Sequence, residues 1–125
     1  MSVNYTKKNL HEVKDGAVEV GMSELQEARF PAPDLDCETT GFAYHRIHPG
    51  KRQGFAHRHD AAEEVHVVLG GSGTVELDGE RVDLAPMDAL RIAPRVARVF
   101  EAGPEGLEYL VFGPRHEGDG EMIQG

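Results

Sequence analysis

The chain has no tryptophan and only one cysteine, Cys37, in 125 residues. A lone thiol closes no internal bridge, which excludes a disulfide framework and favours a reducing compartment. No base partner for Cys37 is visible, so it reads as a small packing residue or incidental thiol, not a nucleophile. Long apolar runs are missing as well. The longest, residues 65–69, has His66 inside it and is far too short to cross a bilayer. The first eight residues lack the apolar stretch of a signal peptide, so a cytoplasmic protein is expected. Basic residues are in deficit, 13 against 22 acidic ones, for a formal net charge of −9. Such a surface repels phosphate backbones, and no basic stripe with interleaved aromatics offsets it, which argues against nucleic acid as a partner.

Helical periodicity is also scarce. Residues 23–30 hold a Ser followed by acidic residues that could open a helix, but Pro31 and Pro33 stop it within two turns. A short strand or loop fits that segment equally well. From Gly41 onward, short runs of β-branched and aromatic residues alternate with Gly, Pro and Asp. Candidate strands cover residues 41–47, 64–69, 73–77, 80–84, 89–92, 96–101 and 107–112. Asp78-Gly79 between two such runs is a strong hairpin signal. Residues 70–73, 86–88 and 103–106 read as further turns. Many short strands at even spacing in a chain of this length point to a sandwich or barrel. Residues 1–20 are polar and weakly patterned, and the Gly-rich, charged tail from Pro114 is expected to lie on the surface or fray.

The chemistry concentrates in residues 50–71. In an extended chain, side chains alternate faces, so His57 and His59 are expected to point one way and Arg58 the other. Glu64 follows at the start of the next strand, in phase with His66 and Val68. Glu63 is the rival carboxylate, but it shares its phase with Val65, Val67 and Leu69. Two imidazoles and one carboxylate with open positions suit Fe(II), and also Mn, Zn or Ni. If Glu64 faces inward, Val65, Val67 and Leu69 face outward and need a cover, which points to a homodimer.

This segment resembles the first motif of the cupin superfamily, of the small single-domain cupin 2 type. Gly50, His57, His59, Glu64 and Gly71 follow that motif, with one extra residue between Gly50 and His57. The likeness continues through Gly79, Pro86-Met87-Asp88, Ile92-Ala93-Pro94 and Arg98. It implies an all-β fold, a double-sheet barrel or jelly roll, over residues 40–113. Residues 1–39 would then be an N-terminal extension packed on the barrel, and 114–125 a C-terminal tail. The resemblance also implies that His57, His59 and Glu64 are metal ligands.

The second motif departs from the family at two places. Met87 stands where a Gly is common, and Arg98 stands where another His ligand is usual. Arginine is permanently charged and does not ligate metals in practice. Two outcomes are equally consistent with the sequence. In one, a metal binds through His57, His59 and Glu64, with Arg98 beside it to pair with an anionic ligand. In the other, Arg98 neutralises Glu64 and the barrel is metal-free. His66 and Tyr44 are further ligand-binding candidates, although Tyr44 could equally be core or interface. His45 and His48 read as surface or rim histidines. The functional expectation is a small-molecule-binding cupin, either a metal-dependent oxygenase or isomerase acting on a small anionic substrate, or a non-catalytic ligand-binding or structural barrel.

Overall fold

A computed structural model describes residues 4–54, 56–59, 62–114 and 120–123, with the backbone alone for 57–59 and 120–123. Its strands are β1 (Gln26–Arg29), β2 (Thr40–Ile47), β3 (Ala56–His59), β4 (Glu64–Leu77), β5 (Glu80–Leu84), β6 (Ala89–Ile92), β7 (Arg98–Pro114) and β8 (Gly120–Ile123). They form one antiparallel sheet in the order β1-β2-β7-β3-β8, and β4 pairs with β5, β6 and β7. Alternation sends one face of each strand inward. Leu107, Tyr109 and Val111 of β7 are buried, as are Val68 and Val75 of β4 and Ile47 of β2. These side chains join Leu84 of β5 and Ile92 of β6 in a single apolar cluster. Residues so far apart in the strand order share one core only because the sheet rolls over on itself.

The Asp-Gly hairpin is where it was expected. Leu77 pairs with Glu80, and Asp78 and Gly79 both take positive φ, 50° and 88°. That is the backbone a two-residue primed turn requires. Asp78 also ties the turn down, accepting the Ala97 N–H on its carboxylate at 2.8 Å.

Two expected turns are absent. Residues 70–73 and 103–106 run inside β4 and β7, which pair along most of their length. The register shifts between Val68 and Gly70 and between Gly71 and Gly73. The glycines serve close approach of two backbones. A Cβ on Gly71 would lie 2.0 Å from the Gly106 carbonyl oxygen, and one on Gly73 would lie 2.2 Å from that of Glu101. Glycine in a strand interior marks such a contact as readily as it marks a turn.

Residues 23–30 resolve in favour of the strand. Gln26 and Ala28 of β1 are buried, Glu27 and Arg29 only half-buried, and Ala28 pairs with His45. The weakly patterned N-terminal stretch is tied down locally. Asp15 caps a one-turn helix, α1 (Gly16–Glu19), through the Ala17 N–H at 3.0 Å and takes the Ala28 N–H at 2.9 Å. At the other end, part of the expected surface tail forms β8, which pairs with β3.

Met87 takes φ 74° and is 82% exposed. Glycine reaches that left-handed region without the Cβ penalty. Met87→Gly should therefore raise unfolding stability by about 0.5–1 kcal/mol. Gly71→Ala, also at positive φ but against a backbone oxygen, should lower it by roughly 3 kcal/mol or more. Urea midpoints of the two variants test this pair, and equal shifts would contradict it.

Candidate functional site

The interior site begins at the first residues of β4. Glu64 pairs with Ile92, and His66 pairs with Leu90 on one side and Val111 on the other. His66 and Val68 are buried, Val65 and Val67 half-buried, and Leu69 is 44% exposed. The inward phase is therefore that of Glu64, as the alternation suggested. Glu63 instead meets Arg91 at 3.2 Å, with both side chains largely exposed.

Arg98 opens β7 and is 3% exposed. Its Nη1 donates to Glu64 Oε1 at 2.9 Å, its Nε to the Val96 carbonyl at 2.9 Å and its Nη2 to the Ala93 carbonyl at 3.1 Å. The backbone of Arg98 pairs with Leu77, at the opposite end of β4 from Glu64. A straight strand of 14 residues would hold those ends roughly 43 Å apart. Contact between Glu64 and Arg98 is thus a direct consequence of the rolled sheet. Burial pulls the Arg98 guanidinium below its usual pKa, and Glu64 opposes that shift by charge and hydrogen bonding. An arginine still carries its proton at any physiological pH.

The ion pair borders a column of stacked rings. His66 Nε2 lies 3.9 Å from Glu64 Oε1, and its ring centroid is 5.0 Å from that of Phe100. Phe100 stacks on Tyr109 at 4.6 Å, and Tyr109 stacks on His45 at 5.1 Å. Beyond the rings lies a buried amide network. Gln53 donates from Nε2 to Gln26 Oε1 and to the Tyr109 hydroxyl, both at 3.2 Å, and accepts the Phe100 N–H at 3.0 Å. Burial, reinforced by the Glu64 charge, holds the Tyr109 phenol well above its ordinary pKa.

Sequence reasoning overlooked Tyr109, Gln53 and Gln26. Tyr109 was detectable, because it alternates with Leu107 and Val111. His45, expected at the surface or rim, is half-buried, with its ring between the exposed Phe30 and the buried Tyr109. Gln53 sits in an irregular segment whose side-chain direction no periodicity reveals.

Tyr44 stands apart from the other candidates. It pairs with Leu110 and therefore takes the face opposite His45 and Tyr109. There the His11 ring meets it edge-on, and its hydroxyl donates to Glu108. Burial and that carboxylate push its phenol pKa up. Tyr44 thus packs beneath the N-terminal segment, across the sheet from Glu64, His66 and Arg98.

The side chains of His57 and His59 lie outside the described residues. The backbone of His57 pairs with that of Arg98, so β3 runs beside the start of β7. Among the described residues, no group of three or more His, Cys, Asp or Glu could hold a metal ion. Glu64 Oε1 already accepts from the Arg98 guanidinium, so a dication held by this carboxylate would share it with a fixed positive charge.

A rolled antiparallel sheet with a buried cluster of polar and aromatic side chains defines a small β-barrel protein. The Cupin domain family model matches residues 43–113, and the chain belongs to that family, with the jelly-roll fold that goes with it. No curated protein matches the chain. Among solved structures, it is similar to a cupin protein from Bacteroides fragilis, at 22% identity and TM-score 0.74, over 99% of this chain and 92% of that one. The polyketide cyclase RemF from Streptomyces resistomycificus matches at 20% identity and TM-score 0.76, over 94% and 84%. KdgF from Halomonas sp. matches at 23% identity and TM-score 0.65, over 90% and 97%. Likeness at these identities establishes the fold and leaves the activity to the site. Among the described residues, no helix is long and apolar enough to cross a membrane.

Removing one partner of a buried pair leaves an uncompensated charge, at a cost of about 3–5 kcal/mol. Glu64→Gln should show a loss in that range, because it strands the deeply buried Arg98 charge, and Arg98→Met a smaller one, because the Glu64 it strands retains some solvent contact. The double variant should lose less than the sum of the two. A double-mutant cycle in urea checks this, and additive losses would mean that the pair is not coupled.

Proposed function

We propose that the protein is a small-molecule-binding cupin in which Arg98, instead of a bound metal, balances the charge of Glu64 inside the barrel. The observation that carries this reading is the 2.9 Å contact between Arg98 Nη1 and Glu64 Oε1 in a buried setting. The ring column and the Gln53 amide give the interior a polar, aromatic lining suited to a compact organic ligand. Arg98 spends three donors on Glu64, Val96 and Ala93, which leaves two of its five N–H groups for such a ligand. The resemblance to metal-binding cupins keeps a second reading in view, with His57, His59 and Glu64 holding Fe, Mn, Zn or Ni for an oxygenase or isomerase reaction on a small anionic substrate.

Metal content separates the two readings. Tag-free protein, incubated with each of these four ions and then desalted, should retain far less than one metal per chain. Arg98→His should raise that retention by supplying an imidazole in place of the guanidinium. Near-stoichiometric metal in the natural protein, lost in His57→Ala, would establish the metal-dependent reading instead.

The same reading includes a homodimer. Leu69 and Phe112 are exposed, Phe112 stacks on Phe42, and Val65 and Val67 lie half-buried on that outer face. A second copy would cover it. Light scattering should give twice the chain mass, and Leu69→Lys combined with Phe112→Lys should halve it. A monomeric natural protein would refute this part.

A further inference from the structure

We propose that the Tyr109 hydroxyl is the hydrogen-bond donor that selects ligands in this barrel, and that its acceptor is a carbonyl-type oxygen, of a carboxylate or of a neutral ketone or amide. The proposal rests on the reading of the barrel as a small-molecule site.

The argument starts from the one group whose role is chemically fixed. The Phe100 N–H can only donate, so the Gln53 atom 3.0 Å from it must be the carbonyl oxygen. The orientation of the Gln53 amide follows. Its nitrogen spends both protons, one on Gln26 Oε1 and one on the Tyr109 oxygen. Tyr109 is the acceptor in that bond, and its own proton is left to find another partner. Among the described residues, none accepts it. The residue is 1% exposed, so bulk water does not reach it freely. A buried donor without an acceptor costs stability unless a function retains it.

Position joins this donor to the ion pair. The Tyr109 ring lies 5.7 Å from that of His66, whose Nε2 is 3.9 Å from Glu64, the partner of Arg98. A neutral O–H on the ring column that borders a neutralised ion pair suits an sp² oxygen, which accepts along its in-plane lone pairs without adding a second charge to be balanced. The stacked rings of Phe100, Tyr109 and His45 favour a flat group beside them. The high phenol pKa keeps the proton on Tyr109 at neutral pH.

The test uses full-length protein carrying ¹³C-labelled tyrosine. Its three tyrosines, Tyr5, Tyr44 and Tyr109, give three Cζ resonances, with Tyr109 assigned by elimination through Tyr5→Phe and Tyr44→Phe. Acetate, acetone and acetamide are titrated separately, and binding is also read at the methyl groups of the buried Val68 and Val75. The expected result is a saturable shift at Tyr109, with Tyr5 and Tyr44 unmoved, and an affinity in Tyr109→Phe about 10- to 100-fold weaker. Response to acetate alone identifies a carboxylate ligand, and response to all three identifies a carbonyl in general. If Tyr109→Phe fails to fold, the shift in the natural protein decides the matter. Probes that move the core methyls but not Tyr109, with equal affinity in Tyr109→Phe, would overturn the proposal and leave the barrel a binding site. Probes that move no interior resonance would overturn both.

Discussion

A guanidinium buried to 3% exposure is the constraint around which the interior is arranged. Arg98 cannot shed its charge, so the surroundings must supply acceptors. The carbonyls of Ala93 and Val96 take two of its protons, and the Glu64 carboxylate takes a third and cancels the charge. This demand reaches far along the chain. The turn before β7 must present its carbonyls inward, and β4 must begin with its acidic residue facing the same space. Such a pair is seldom a large net source of stability, because desolvation opposes the attraction. Its effect is to make other arrangements of these strands costly.

The rest of the barrel serves that arrangement through two long strands. β4 and β7 supply both halves of the ion pair, and the rings of His66, Phe100 and Tyr109 besides. They bring these groups together by bending as a unit, with Gly71 and Gly73 letting the backbones touch at the bend. The Gln53 amide then clamps the far end of the ring column, bonded to β1 through Gln26 and to β7 through Phe100 and Tyr109. The barrel interior is thereby connected to the N-terminal strand, which lies outside the segment that carries the family resemblance.

How much of this was legible beforehand depends on range. The hairpin at Asp78-Gly79 and the alternation of Glu64, His66 and Val68 are local patterns, and they appear in the fold as read. The glycines at 70–73 and at 103 and 106 were misread as turns, since the same residue serves a tight turn and a close backbone approach. Tyr44 was grouped with the candidate site from its general position alone. Its pairing with Leu110 depends on how β2 aligns with β7, and one residue of register decides the face. Gln53 carried no periodic signal, and its role exists only where three other elements meet it.

The chain by itself determined an all-β barrel, the inward phase of β4 and an arginine standing where the related motif has a histidine. Those properties follow from periods of two residues and from side-chain chemistry, which act at short range. Tertiary structure alone decided that Arg98 meets Glu64 from the opposite end of β4 and that a glutamine from an irregular segment makes the Tyr109 oxygen an acceptor, its proton unmatched among the described residues. Both depend on how a strand of 14 residues curves. That curvature is the summed outcome of twist, register shifts and glycine contacts spread over the whole sheet.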